Sequence, residues 1–130
     1  MKDITIGTKA TAQVTVTEAQ TARTVGSGSL NVFATPMMAA LMEQAACSAV
    51  AAFLEEGETT VGTELNIRHT AATPQGLTVT AEAEITAVNK REITLNVTAR
   101  DDAGEIGSGT HKRFVVYAQR FQEKTDGRGK

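Results

Sequence analysis

The sequence predicts an α+β fold in which one long helix is wrapped by a curved antiparallel sheet of about five strands. The first observation is a single apolar run, from Met37 to Leu54, that is long enough to form such a helix. The second is a two-residue alternation of apolar and polar side chains on both sides of this run, which is typical of half-buried strands. The third is the length, because 130 residues, 41% of them hydrophobic, suit one compact domain. We therefore expect a single domain over residues 1–121 and a polar, disordered tail over residues 122–130.

The apolar run predicts a buried helix and not a membrane span, although it would be about 27 Å long. Glu43 and Gln44 lie inside it, and much of the rest is alanine, which favours helices but drives membrane insertion only weakly. We expect Thr35 to cap the first turn, Pro36 to occupy the first helical position, and Gly57 to end the helix.

One alternating segment precedes the helix and four follow it. The predicted strands are Ala10–Val16, Val61–His69, Leu77–Ile85, Ile93–Ala99 and a last strand from about Glu105 to Tyr117. Because the connections after the helix are short, we expect the last four strands to form an antiparallel meander. A helix that is apolar on nearly every side needs more cover than one small sheet gives, and such a sheet has open edges. We therefore expect a homodimer or a higher oligomer.

Composition and charge exclude several classes of function. The formal charge is −2, and neither sign is gathered into a block, so a nucleic-acid-binding surface is disfavoured. Cys47 is the only cysteine and the two histidines lie far apart, so the sequence predicts no disulfide and no metal site. The N-terminus alternates polar and apolar residues and has no hydrophobic signal region. We expect a cytoplasmic protein that works without a membrane or a cofactor.

Glu43 is the most anomalous residue of the predicted helix. Its sequence neighbours are apolar, and they are Leu41, Met42, Ala45, Ala46 and Cys47. A carboxylate in that position must be paired, hydrated in a cleft, or protonated. Burial favours the protonated form of a carboxyl group, which is the direction that a general acid or base needs near neutral pH. The alternative is that this face of the helix simply reaches solvent.

The two histidines carry different predictions. His69 shares the strand parity of Leu65 and Ile67, so its imidazole should point toward the apolar side. A lone inward histidine is more often a hydrogen-bonded core residue than a catalyst. His111 stands close to Arg113 in a run of basic residues, which is typical of an exposed strand end and less often of an anion contact.

Thr35 and Gly62 also have a structural and a functional interpretation. Thr35 is first of all a candidate N-cap, but a hydroxyl at a helix start also lies beside free N–H groups where an oxyanion could be held. Gly62 interrupts an alternating strand, so it marks either a β-bulge or a close approach of the backbone to a ligand.

These residues lie in segments that resemble the hot-dog-fold thioesterases, and most closely the fluoroacetyl-CoA thioesterase family. The matching segments follow one another in order between Phe33 and Arg113. They are Phe33-Ala34-Thr35, Leu41-Met42-Glu43, Val61-Gly62-Thr63, Arg68-His69-Thr70-Ala71-Ala72-Thr73-Pro74, Gly76-Leu77-Thr78-Val79 and Glu105-Ile106-Gly107-Ser108-Gly109-Thr110-His111. The resemblance implies a long helix wrapped by an antiparallel sheet, usually in a dimer, and hydrolysis of short acyl-CoA thioesters.

The resemblance also implies roles for particular residues. Thr35, Glu43 and His69 match the family's catalytic positions, and Gly62 and Arg113 match positions near the acyl or thioester end. The match is weakest over residues 26–31, where bulky side chains close over the acyl group in the fluoroacetate-selective enzyme. Here Phe33 is the only aromatic residue nearby, and we take it as a substrate-binding residue.

Two other functions remain open from the sequence. An acyl-CoA-binding module would keep the pocket without turnover, and a hot-dog hydratase or dehydratase would act on the carbon chain and leave the thioester intact. Helix geometry adds an expectation about assembly. Thr35 and Glu43 are eight residues apart, which is about 12 Å along a helix. If both act on one thioester, the simplest site takes Thr35 from one protomer and Glu43 from the other.

Overall fold

The computed structural model describes residues 1–130. One antiparallel sheet of five strands carries a 17-residue helix on one face. The elements in chain order are β1 (Lys9–Thr15), a 3₁₀ turn (Glu18–Gln20), α1 (Ala22–Val25), α2 (Thr35–Ala51), β2 (Glu58–His69), β3 (Thr78–Asn89), β4 (Glu92–Asp101), β5 (Gly104–Tyr117) and α3 (Ala118–Asp126). The predicted fold class, with one long helix and five antiparallel strands, is confirmed. None of the helices combines the length and the apolar character that crossing a bilayer requires.

The order of strands in the sheet is β1-β3-β4-β5-β2, so the predicted four-strand meander is wrong at its first step. β3, β4 and β5 do form a meander, because short turns force consecutive strands to pair. β2 instead pairs with β5, at the opposite end of the sheet from β1. The connection between β2 and β3 spans residues 70–77 and bridges to the segment before α2 through Pro74 and Val32. A connection of this length does not oblige its two strands to be neighbours.

The core lies between α2 and the inner face of the sheet. The helix packs mainly against β3 and β1. The predicted inward positions of β3 and β4 are confirmed, since the following residues are fully or almost fully buried: Val79, Ala81, Ala83, Ile85, Ile93, Leu95, Val97 and Ala99. On the helix the buried residues are Met38, Leu41, Met42, Ala45, Ala46, Ala49 and Val50. Alanine on facing positions lets the helix approach the sheet closely.

Helix α2 ends earlier than the sequence predicts. It stops at Ala51, and the chain turns through Ala52 with the N–H of Phe53 donating to the Val50 carbonyl. This turn returns Phe53 and Leu54 to the edge of the core, where both are partly buried. Gly57 does not cap the helix but adopts φ 83° in the following turn, a conformation that glycine adopts without strain.

Residues 122–126, which were expected to be disordered, belong to α3. The helix buries none of its residues. It is supported by hydrogen bonds between side chains four residues apart, from Gln119 to Glu123 and from Gln122 to Asp126. Composition alone predicts disorder for so polar a segment and does not register these local pairs.

A carboxylate at the start of β2 ties three parts of the chain together. Glu58 accepts hydrogen bonds from the Glu55 main-chain N–H at 2.9 Å and from Arg91 at 2.8 Å, and it also contacts the amino group of Met1 at 3.0 Å. The Glu55 N–H, followed by the amino group, lowers the pKa of Glu58 to about 2. The ionised form is therefore favoured by the folded state.

We expect Glu58→Gln to remove part of the resistance to acid. Because the pKa in the folded protein is below its ordinary value of 4.5, the stabilisation is complete above that value and is lost as the pH falls toward about 2. Thermal unfolding across this range should show a higher Tm for the wild type at neutral pH and equal Tm values near pH 2. The exposed Glu56→Gln is the matched control. A constant difference in Tm at every pH would contradict the titration of Glu58.

Candidate active site

Thr35 and His69 form a direct pair between the start of α2 and the end of β2. The Oγ1 of Thr35 lies 2.7 Å from Nδ1 of His69. The predicted capping role of Thr35 is wrong, because Ala34 is the N-cap residue and no side chain caps the helix. Thr35 is instead the first helical residue and Pro36 the second, so the threonine hydroxyl is free to bond the imidazole.

A cleft of about 250 Å³ opens beside this pair. The Phe33 ring meets the His69 ring edge-on, with centroids 6.5 Å apart and an interplanar angle of 81°. Phe33 is only 1% exposed, so its ring is packed into the wall of the cleft. The remaining lining residues are small or medium-sized, and they are Ala22, Ser27, Val32, Thr70, Ala71 and Ala72. A cleft of this volume accommodates only a small chemical group.

The start of α2 offers one main-chain donor to this region. Met37 and Met38 both donate to the Ala34 carbonyl, and Pro36 has no N–H. The Thr35 N–H has no acceptor within the protein. It lies at the positive end of the helix dipole, where a developing negative charge is stabilised. The sequence predicts several free N–H donors at the start of the helix, but only the N–H of Thr35 is free there.

His69 is half-buried, and burial lowers its pKa below the ordinary 6.5. The imidazole is therefore neutral at physiological pH. Its Nε2 is buried without a hydrogen-bond partner. A neutral imidazole that bonds a hydroxyl through Nδ1 has the arrangement that a general base needs.

Glu43 belongs to a second group of side chains, which joins α2 to β2 and β5. Its Oε2 accepts a hydrogen bond from Nη1 of Arg113 at 3.2 Å. The Glu43 side chain is 41% exposed, whereas that of Arg113 is only 7% exposed. The sequence left open whether Glu43 is paired with another group or lies on a face of the helix that reaches solvent. Both hold, because the carboxylate is paired with Arg113 and partly exposed.

Gly62 lies against this ion pair, and of its two interpretations the β-bulge is confirmed, while a close approach to a ligand stays a prediction. The register of β2 against β5 shifts between Gly62 and Glu64, which is a β-bulge. A Cβ atom at Gly62 would lie 2.7 Å from Oε2 of Glu43, 3.2 Å from His111 and 3.3 Å from Nη1 of Arg113. Only glycine leaves room for the three side chains to converge.

The structure places His111 differently from the sequence prediction. It was expected at an exposed strand end, but it is 1% exposed and its Nε2 lies 3.2 Å from Nη1 of Arg113. The alternation in β5 does indicate burial, because His111, Arg113 and the buried Val115 are two residues apart and share one face of the strand. The basic residues beside His111 instead suggested an exposed position.

The structure thus divides the predicted site residues into two groups. Thr35, His69 and Phe33 line the cleft, whereas Glu43, Gly62 and Arg113 converge further along α2. Within one chain no hydrogen bond joins Thr35 or His69 to Glu43. No group of three or more His, Cys, Asp or Glu side chains is arranged to hold a metal ion.

Comparisons with known proteins agree with this fold. Residues 16–119 match the fluoroacetyl-CoA-specific thioesterase family. A fluoroacetyl-CoA thioesterase from Streptantibioticus cattleyicolor is 50% identical over 93 residues, which make up 72% of this chain and 67% of that protein. The solved structure of the fluoroacetyl-CoA thioesterase FlK superposes with a TM-score of 0.92 at 38% identity, covering 99% of this chain and 100% of that one. A mutant of FlK in complex with acetyl-CoA superposes with a TM-score of 0.91 at 38% identity, covering 98% of this chain and 100% of that one.

A more distant relative shares the same architecture. A thioesterase superfamily member from Thermus thermophilus superposes with a TM-score of 0.89 at 27% identity, covering 97% of this chain and 93% of that one. With the family match extending over most of the sequence and the FlK superposition over nearly all of it, this chain belongs to the fluoroacetyl-CoA-specific thioesterase family and has the hot-dog fold.

Proposed function

We propose that this protein hydrolyses short acyl-CoA thioesters to the free acid and coenzyme A. The observation that carries the proposal is the 2.7 Å contact between Thr35 and His69 beside a small cleft at the start of α2. The family relationship supports thioester chemistry, and the acetyl-CoA complex of the FlK mutant supports an acyl-CoA substrate. The size of the cleft favours a short acyl group.

The start of α2 would bind the reacting carbonyl. The Thr35 N–H, at the positive end of the helix, donates to the carbonyl oxygen as it becomes an oxyanion. Because this donor is fixed before the reaction, no reorganisation is needed when charge develops. Neither a metal nor a cofactor is required.

Two routes to the products fit the Thr35–His69 pair. In the direct route Glu43 and His69 activate water, Oε1 of Glu43 takes its proton, the water oxygen attacks the carbonyl carbon, and the C–S bond breaks to release coenzyme A. In the covalent route Thr35 gives its proton to His69 and accepts the acyl group, and water then hydrolyses the ester. In both routes the proton held by the base passes to the leaving thiolate.

A homodimer would bring the two groups of side chains together. Thr35 and Glu43 are separated by about 12 Å along α2, so one small thioester cannot contact both within a chain. One long face of α2 is uncovered, and its exposed residues are Ala40, Gln44, Cys47, Ser48 and Ala51. β2 also has an open edge. A two-fold mate placed against this face and edge would supply Glu43 to the Thr35–His69 pair of its partner.

The proposed location is the cytoplasm. Cys47 is the only cysteine and is exposed, so it contributes no disulfide within the chain and is suited to a reducing compartment.

Release of free thiol from a panel of acyl-CoAs tests the proposed function. We expect stoichiometric release of coenzyme A, fastest with the shortest acyl chains. A binding module would bind the same compounds without releasing thiol. A hydratase or dehydratase would change the acyl chain and leave the thioester intact. Either of these results would overturn the proposal.

We expect His69→Asn to change the shape of the pH–rate profile as well as its height. Only the neutral imidazole can accept a proton, and burial lowers the pKa of His69 below 6.5. The wild-type rate should therefore be sustained at neutral pH and fall as the pH drops through a value below 6.5. The Asn variant should be at least about tenfold slower and lack this limb. An unchanged profile at an unchanged rate would exclude a catalytic role for His69.

A further inference from the structure

His111 occupies a buried position next to the proposed catalytic carboxylate, and nothing in the mechanism above uses it. Its Nδ1 lies 2.7 Å from the main-chain carbonyl of Glu64, beside the bulge in β2. Its Nε2 lies 3.2 Å from Nη1 of Arg113. The same Nη1 atom donates to Oε2 of Glu43. Two hydrogen bonds therefore link the imidazole to the carboxylate, and Nε2 itself lies 3.9 Å from Oε2 of Glu43, which is beyond hydrogen-bond distance.

The chemistry of arginine fixes the roles of the two imidazole nitrogens. A guanidinium group only donates, so Nε2 of His111 must accept from Arg113. The proton of the neutral ring is then on Nδ1, which donates to the Glu64 carbonyl. Burial, with the charge of Arg113 acting in the same direction, lowers the pKa of His111, which agrees with a neutral ring.

All three nitrogens of the Arg113 side chain have acceptors within the protein. Nε donates to the hydroxyl of Thr60 at 2.8 Å, and Nη2 donates to the Thr60 carbonyl at 3.1 Å. Nη1 divides its two protons between His111 and Glu43. With the guanidinium held in this way, its direction toward Oε2 is fixed. Oε1 of Glu43 accepts no hydrogen bond from the protein, and the side chain is 41% exposed.

We propose that His111 is a positioning residue, which orients Arg113 against Oε2 of Glu43 and thereby leaves Oε1 as the oxygen that accepts the proton. This inference rests on the proposed function of Glu43. It assigns to His111 no contact with the substrate. Its effect on the reaction passes through the hydrogen bond to Arg113.

Two substitutions of His111 separate its two hydrogen bonds. The amide of Asn stands at the position of Nδ1, so His111→Asn keeps a donor for the Glu64 carbonyl and loses the acceptor for Arg113. The amide of Gln reaches the position of Nε2, so His111→Gln keeps an acceptor for Arg113 and loses the donor for Glu64. We expect His111→Asn to lower kcat about tenfold with KM within about threefold of the wild type, and His111→Gln to retain most of kcat.

The dependence on Glu43 is tested by combining substitutions. In a Glu43→Gln background, His111→Asn should have no further effect on kcat, because the two residues act through one interaction. If Glu43→Gln alone keeps wild-type turnover, both the proposed function of Glu43 and this inference fail. If Glu43→Gln is inactive but His111→Asn matches the wild type, the inference alone fails. Equal losses of kcat in the His111→Asn and His111→Gln variants would mean that His111 only stabilises the strand, and this result would overturn the inference.

Thr60 provides a second test if the variants of His111 do not fold. Thr60→Val removes the acceptor for Nε of Arg113 at almost constant volume, and Thr60→Ser keeps it. We expect Val, and not Ser, to lower kcat with little change in KM, and the loss to disappear in the Glu43→Gln background. Equal kcat in the Val and Ser variants would show that the orientation of Arg113 does not matter and would contradict the proposal.

Discussion

Glu43→Gln is expected to fold normally and to hydrolyse acyl-CoA at least about a hundredfold more slowly than the wild type. Glutamine keeps the volume of the side chain, and its amide oxygen can still accept from Nη1 of Arg113, which bonds Oε2 of Glu43 at 3.2 Å. The amide nitrogen would then replace Oε1. Because an amide nitrogen accepts no proton, the base is lost while the contact with Arg113 is kept.

The matched control for this variant is Glu56→Gln. Glu56 is exposed just beyond the end of α2 and makes no hydrogen bond with its side chain. Steady-state release of thiol should be unchanged in the control, and thermal unfolding should show that both variants fold. Near-normal turnover in a folded Glu43→Gln variant would make Glu43 a solvent-facing residue that is held by Arg113 and has no part in the reaction.

The sequence predicted best those elements whose pattern depends on one buried face. β3 and β4 alternate strictly because only one side of each meets α2, and their predicted inward residues are buried. Helix α2 was predicted from its alanine-rich run, but its end was not. The run continues through Phe53 and Leu54, which are apolar because they pack on the core from a turn and not because they are helical. An apolar run indicates that its residues are buried, but it does not show whether their backbone is helical.

The place of β2 in the sheet could not be predicted from its own sequence. β2 pairs with β5 over 11 residue pairs, although 34 residues lie between them. Alternation shows that a strand has one apolar face, but it does not identify the neighbouring strand. Short turns supply this information for β3, β4 and β5, and the longer connection after β2 does not.

The site was predicted in part. The resemblance to the family directed attention to Thr35, Glu43 and His69, but not to the way in which the structure groups them. The network around Arg113 depends on the bulge at Gly62, which brings residues of β2, β5 and α2 to one point. For His111, the parity of β5 indicates burial but not a role. This residue becomes significant only through the atoms that it contacts.

Complementation between inactive subunits is the second large effect that we expect. Thr35→Val and Glu43→Gln should each abolish most of the turnover, since each removes one half of every shared site. After random exchange about half of the dimers contain one subunit of each kind. Each mixed dimer then has one site with both substitutions and one site with neither.

The structure also supplies a control pair that should not complement. Thr35 and His69 are in contact within one chain, at 2.7 Å, so both belong to the same half of a shared site. In a mixed dimer of Thr35→Val and His69→Asn, each site carries one of the two substitutions. We therefore expect no recovery from this pair, although its subunits exchange in the same way.

The most direct measurement of the shared site is thiol release after these subunits have been exchanged, with exchange verified by mass. For Thr35→Val mixed with Glu43→Gln, we expect activity to recover to about a quarter of the wild-type value per protomer. The mixture of Thr35→Val with His69→Asn should stay at the level of its components. If exchange is complete and the first mixture stays inactive, Thr35 and Glu43 do not meet across a dimer interface, and the shared active site is wrong.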